Sequence, residues 1–210
     1  MYLDKPLKDY LDRLAAGTPS PGGGSAAALA GALAAALTCM VANFTVGREK
    51  FRTVEGRVRE ILTRAEEIRQ DLTRLVEKDT EVYDEVSAAY RLPRQTDEEK
   101  ERRREAIDRA LRNATQVPLE VARYSREILL LNQELAEIGN PNLISDVGVA
   151  GILARDSFQT AVLNIEINLA HILDIGYRKE IRHLFQPWME EINGVAEEIC
   201  KQVIGVIRKD

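Results

Sequence analysis

One feature limits the possible folds more than any other: between residues 52 and 90 the apolar residues return once per helical turn, without a proline. The stripe runs Val54, Val58, Ile61/Leu62, Ala65, Ile68, Leu72, Leu75/Val76, Val82/Tyr83, Val86 and Ala89/Tyr90. A one-sided stripe of that length is a long amphipathic helix that must bury its apolar face against other helices. The rest of the chain reads the same way, broken only by punctuation. A short helix over 7–16 stops at Gly17, and an Ala-rich helix runs from Ser25 to about residue 46, with Gly47 ending it. The spacing of Thr96 and Glu99 is that of a capping box, opening a charged helix towards Gln116. Pro118 is expected to kink or restart that helix, which ends at Gly139; further helices are expected over 145–173 and 178–207, with a possible kink at Pro187. No strand is expected. The reading is all-α: a single-domain bundle of long antiparallel helices over residues 1–210.

Composition narrows the function classes. Hydrophobic residues make up 45% and charged residues 30%, the balance of a folded soluble chain, and only 5% are aromatic. A net charge of −5 argues against a general nucleic-acid partner, which needs a basic face. Cys39 and Cys200 lie far apart within helical patterns, forming neither a disulfide framework nor a metal motif, so the expected setting is the reducing cytoplasm. Residues 1–14 lack the uninterrupted apolar run of a signal peptide. The Ala- and Gly-rich segment 26–46 carries Asn43 and is read as a buried helix rather than a membrane span. Its small residues Ala28, Gly31, Ala32, Ala35 and Ala36 let neighbouring backbones approach closely, which suits a central helix.

Three places break the pattern. Where the long helix should present an apolar residue between Leu75/Val76 and Val82/Tyr83 it presents Asp79, and a buried carboxylate is expensive unless partnered. Two readings stand: a structural polar network, or a functional carboxylate with a perturbed pKa. Tyr83, one turn on, is placed to share its hydrogen bonds. Asn164 and Asn168, four apart, put two amides on one face beside Ala154 and Ala161, either for inter-helix hydrogen bonds or as a polar wall reading a heterocycle. Finally, two polar helix starts stand out. Pro21-Gly22-Gly23-Gly24-Ser25 offers free backbone N–H groups with Ser25 as N-cap, suited to negative charge. Asn140-Pro141-Asn142 with Ser145-Asp146 forms the second. The glycine run is not a Walker A loop, since no Lys-Ser/Thr follows it, and no strand precedes it. His171 reads as structural, and His183, between Arg182 and Phe185, has no second ligand at metal spacing. The run from Lys100 to Arg112 reads as a solvated face laced with ion pairs, whose cations could also attract an anionic substrate tail.

These pieces, in order along nearly the whole chain, resemble the formiminotetrahydrofolate cyclodeaminase / methenyltetrahydrofolate cyclohydrolase family. The resemblance rests on the run from Pro19 through Gly22-Gly23-Gly24-Ser25 to Leu33 and on Lys78-Asp79. It continues in Leu92-Pro93, Gln116-Val117-Pro118-Leu119, Gly139-Asn140-Pro141-Asn142 with Ser145-Asp146-Val147, and Leu163-Asn164-Ile165 to Asn168. It implies a homodimer that binds a tetrahydrofolate derivative, which can be polyglutamylated, in a cleft near the subunit interface. It tilts Asp79 towards catalysis with Asp146 in support. Pro21, Gly22, Gly23, Gly24, Ser25, Asn140, Asn142, Ser145, Asn164 and Asn168 become the implied substrate-binding residues, with the glycine turn as a pocket wall opposite Asp79.

Both family reactions act on the carbon bridging N5 and N10. In the cyclohydrolase, water attacks the cationic methenyl bridge and N5 leaves, giving 10-formyltetrahydrofolate. In the cyclodeaminase, N10 attacks the N5-formimino carbon and ammonia leaves. Each needs a carboxylate beside a delocalised cation and a group that moves a proton. No metal, and no cofactor beyond the folate substrate, is expected. The absence of a formiminotransferase segment in these 210 residues leans the expectation towards the cyclohydrolase, with the cyclodeaminase as alternative; a non-catalytic folate-binding scaffold is a further one.

Overall fold

A computed structural model describes residue 2 and residues 4–208. Among the described residues six α-helices form: α1 (Leu7–Ala15), α2 (Gly23–Asn43), α3 (Glu55–Tyr90), α4 (Asp97–Ile138), α5 (Ile144–His171) and α6 (Ile175–Arg208). Short 3₁₀ turns at Glu49–Phe51 and Pro141–Leu143 precede α3 and α5, and among the described residues there is no strand.

Cross-helix contacts fix the directions. Arg57 reaches Glu134, Arg64 reaches Glu127 and Asn113 reaches Glu85, so α3 and α4 run antiparallel. Asn132 donates to the Val147 carbonyl while Ser125 meets Ser157, making α4 and α5 antiparallel. Gln159 with Asn193 and Arg182 with Glu166 set α6 antiparallel to α5. The expected bundle is the observed one.

The Ala-rich helix α2 packs on α3, α4 and α5, and twelve of its 21 residues are buried. It is the one helix among the described residues long and apolar enough to cross a membrane, and that burial matches a core helix. Gly31 shows why small residues are needed: a Cβ there would lie 2.8 Å from Ser157 Oγ and 3.2 Å from Leu72 Cδ1 and Ser125 Oγ. At this crossing Ser157 donates to the Ala27 carbonyl (2.8 Å) and so accepts from Ser125 (2.7 Å), which satisfies three buried polar groups without a large side chain. Around it lie the fully buried Ile61, Ile68, Leu72, Ile128, Leu129, Phe158 and Ile165.

Several boundaries differ from the sequence reading. The helix α2 begins at Gly23, with Gly22 as its N-cap, so Gly23 and Gly24 are helical and Ser25 is not the cap. The first N–H groups of a helix need no intrahelical partner, so glycines there lose little. At Pro118 α4 does not restart but runs on as one helix; Pro187 sits inside a continuous α6, as the single helix expected there requires. The capping box forms as expected: Thr96 Oγ1 accepts from Glu99 N at 3.1 Å, and Glu99 accepts from Thr96 N. The charged run pairs as expected too, through Lys100–Asp97, Arg102–Glu98, Arg104–Glu101 and Arg112–Asp108.

Candidate active site

The start of α2 is held against α1 and α3 by one side chain. Ser25 Oγ donates to the Val76 carbonyl at 2.9 Å, which leaves it to accept from the Tyr10 hydroxyl at 3.1 Å. The backbone N–H of Ser25 donates to Asp79 Oδ2 at 2.8 Å. The carboxylate is thus not opposite the glycine turn, as expected from the sequence, but hydrogen-bonded to it. Gly24 makes this approach possible: a Cβ at that position would stand 2.1 Å from Asp79 Oδ1. No side chain but hydrogen fits there.

Two opposing effects act on Asp79. Burial pushes its pKa above the ordinary carboxylate value, while the Ser25 N–H favours the charged form. The N-terminal end of the α2 dipole favours the anion as well. Burial also raises the Tyr10 hydroxyl, with the Asp79 charge adding to it, against the bond to Ser25. Asp79 is therefore a buried carboxyl whose pKa lies above the ordinary carboxylate value, fixed in orientation by a backbone donor.

It stands at one end of a cavity of about 540 Å³. Gly22, Gly23, Ser20, Asn164 and Asn168 line the same cavity, and Val82, Val86, Leu111, Ala114 and Ile167 supply apolar wall. Tyr83 lines it too, but among the described residues no hydrogen bond joins it to Asp79. Neither Asn164 nor Asn168 links helices: Asn164 Nδ2 donates to the Thr160 carbonyl of its own helix (2.8 Å), leaving Oδ1 as an acceptor near Gly23. Both amides line the cavity. Gly24, Ser25 and the buried Pro21 stand directly behind this wall.

The second polar helix start is elsewhere. Asn140 accepts from Asn142 N (3.1 Å), while its Nδ2 donates to the Phe44 carbonyl (3.2 Å), just past the C-terminal end of α2. With 21 residues at about 1.5 Å each, α2 puts that turn roughly 30 Å from Gly23. Asn140, Asn142, Ser145 and Asp146 therefore do not line the Asp79 cavity within one chain. Asn140 ties the α4–α5 turn to the end of α2, and within one chain Asp146 stands at the opposite end of α2 from the Asp79 cavity.

Other wall residues escaped the sequence reading. His171, read as structural, is exposed and lines the cavity, one turn beyond Asn168 on the same face of α5. Ser20 lines the cavity, and its Oγ is buried with no hydrogen-bond partner among the described residues. Pro118 has no N–H for the Ala114 carbonyl, and both residues line the cavity. The signal for Pro118 was present as a proline inside a helical pattern; Ser20 carried none beyond its place in the proline-glycine run.

An all-helical bundle with a backbone-oriented carboxylate at the end of an amide-lined apolar trench defines a class of concave ligand sites, apolar with a few convergent polar groups. Comparison with known proteins gives that class its family. The formiminotransferase-cyclodeaminase family profile matches residues 6–187, and the chain belongs to that family. It is 40% identical over 197 residues to the methenyltetrahydrofolate cyclohydrolase of Methylorubrum extorquens, spanning 94% of this chain and 95% of that one. With the formimidoyltransferase-cyclodeaminase of Rattus norvegicus it shares 33% over 189 residues, 90% of this chain but 35% of the rat protein. The crystal structure of formiminotetrahydrofolate cyclodeaminase from Thermotoga maritima matches with a TM-score of 0.88 and 32% identity, covering 99% of this chain and all of that one.

Proposed function

We propose that this protein is a folate one-carbon enzyme that hydrolyses 5,10-methenyltetrahydrofolate to 10-formyltetrahydrofolate, with Asp79 as its acid–base residue. The observation that carries the reading is the Asp79 carboxylate, held by the Ser25 N–H at the polar end of an apolar trench. Its charge faces the amidinium of the methenyl bridge, an attraction strengthened by the low-dielectric walls. As water attacks the bridging carbon, Asp79 takes one of its protons. The same carboxyl then gives that proton to N5 as the tetrahedral intermediate breaks its bond to that nitrogen. The remaining hydroxyl proton passes to solvent as the formyl carbonyl forms. The amides of Asn164 and Asn168 hold the pterin edge, and the backbone at Gly22–Gly23 forms the wall beside it.

The Methylorubrum relative, matched end to end, supports the cyclohydrolase reading. The Thermotoga structure favours a second one, the cyclodeaminase, in which the same carboxylate takes the N10 proton as ammonia leaves. Decay of methenyl absorbance with purified enzyme tests the first, and ammonia release from the 5-formimino substrate tests the second. Catalysed ammonia release without methenyl hydrolysis would reverse the order.

A second copy of the chain completes the proposed enzyme. Leu33, Leu37 and Met40 on α2 and Phe44 at its C-cap recur at helical spacing and are exposed or half-buried, with Leu33 51% and Phe44 48% exposed. A two-fold pairing along this stripe buries it against itself. The cytoplasm is the proposed setting, and no metal or second cofactor enters the proposed reaction.

A further inference from the structure

The trench that begins at Asp79 ends at Tyr90. These residues are eleven apart on α3, so the cavity wall extends roughly 16 Å along that helix. The antiparallel register of α3 and α4, marked by Asn113 on Glu85, sets Leu111 and His171 along its later half. At the Tyr90 end stands Arg103. Its Nε and Nη2 donate to the Tyr90 carbonyl (3.3 and 3.1 Å), and its guanidinium lies 5.5 Å from the Tyr90 ring centroid.

Arg103 differs from the neighbouring arginines of its own helix, α4. Arg102, Arg104, Arg109 and Arg112 each have a carboxylate partner within one helical turn. Among the described residues Arg103 has none, although it is half-buried. The Tyr90 carbonyl and ring orient the guanidinium without neutralising it, and Nη1 is left as a free donor. A cation pinned but not paired beside Tyr90, the residue at which the trench wall ends, is a seat for an anion.

Resting on the folate reading above, we propose that Arg103 binds a carboxylate of the substrate's glutamate, so that the substrate lies with its pterin at Asp79 and its tail at Tyr90. A folate has its charge arranged the same way: a bicyclic ring at one end, an aminobenzoyl spacer that suits the apolar walls, and glutamate at the other. Arg103 is then a specificity residue that separates folates from pteroates, which lack the glutamate. Its contact is remote from the bridging carbon, so it acts on binding and not on the chemical step.

The test uses two substrates, methenyltetrahydrofolate and methenyltetrahydropteroate, with the wild type and the Arg103→Ala and Arg103→Gln variants. The expected result is a KM about tenfold higher for the folate in both variants with kcat kept, the worth of about one charge-assisted hydrogen bond. The pteroate's KM should not move. An equal rise for both substrates would reduce Arg103 to a cap on the end of α3 and overturn the proposal, as would no change in either. If the variants do not fold, calorimetry on the wild type decides: p-aminobenzoylglutamate should bind at least tenfold more tightly than p-aminobenzoate, in competition with tetrahydrofolate, and equal binding refutes the subsite. This arm needs no turnover. A wild type that binds with this preference but hydrolyses neither substrate would defeat the reaction assigned above and leave the tail subsite standing.

Discussion

Replacing Gly24 with alanine perturbs the site through a single methyl group. The added Cβ would lie 2.1 Å from Asp79 Oδ1, 2.7 Å from Cγ and 3.0 Å from Oδ2, where ordinary contact begins at 3.4 Å. The nearest oxygen must retreat by about 3.4 − 2.1 = 1.3 Å. A shift of that size carries the Ser25 N···Oδ2 contact from 2.8 Å towards about 4 Å, beyond hydrogen-bonding reach. The lost charge-assisted bond is worth about 1.5–3 kcal/mol. The better helix propensity of alanine returns at most ~1 kcal/mol. Net destabilisation is then about 1–2 kcal/mol, a fall of roughly 2–8 °C in Tm for a chain of this size. Activity should suffer far more, because displacing a catalytic group by about 1 Å costs on the order of 100-fold. The assay is kcat/KM from methenyl absorbance beside a thermal melt. Gly194→Ala is the control: it lies exposed inside α6 with nothing within 4 Å of the new Cβ, and should melt slightly higher at wild-type activity. A Gly24→Ala enzyme with wild-type kcat/KM would refute the claim that this glycine exists to admit the carboxylate.

Other expectations follow from the same contacts. Burial holds the folded pKa of Asp79 above its unfolded value, so activity that needs the carboxylate should fall as pH drops through that raised value, giving a kcat/KM acid limb above the ordinary carboxylate range. For stability the sign is opposite: the ionised group is penalised in the fold, so the contribution of Asp79 declines as pH rises from the unfolded to the folded pKa. Asp79→Asn should therefore melt at or above the wild type at neutral pH, checked by calorimetry across pH. Gly31→Ala should lose about 1–3 kcal/mol in denaturant unfolding, because the new Cβ meets Ser157 Oγ at 2.8 Å in a packed crossing. Leu33→Glu should convert the proposed dimer to monomer by sedimentation, since it puts a charge in the centre of the exposed α2 stripe.

Those parts of the protein that depend on periodicity are legible in the amino-acid sequence alone. The helices, the capping box at Thr96 and the break at Asp79 are all departures from or agreements with a 3.6-residue repeat, which a sequence displays directly. Placement of the polar turns is not legible that way. The Gly22–Ser25 and Asn140–Asp146 segments look alike as polar helix starts, yet the length of α2 puts them at opposite ends of the bundle. At Pro118 the restart does not occur: a proline inside a long helix costs one hydrogen bond, and tertiary packing keeps α4 continuous around it. That His171 shares a face with Asn164 and Asn168 is legible, but its exposure in a trench depends on Tyr83, Tyr90 and Leu111 from other helices. Arg103 is hidden among similar arginines, because only three-dimensional pairing distinguishes the one whose charge is not neutralised.

The central claim is that Asp79 moves the proton at the bridging carbon. The direct measurement is the single-turnover rate of methenyl hydrolysis by Asp79→Asn, with the fold verified by circular dichroism and folate binding by calorimetry. The asparagine keeps an acceptor for the Ser25 N–H but has no carboxylate, so the account predicts a folded, folate-binding enzyme slowed about 10²–10⁴-fold. Hydrolysis at the wild-type rate would contradict it.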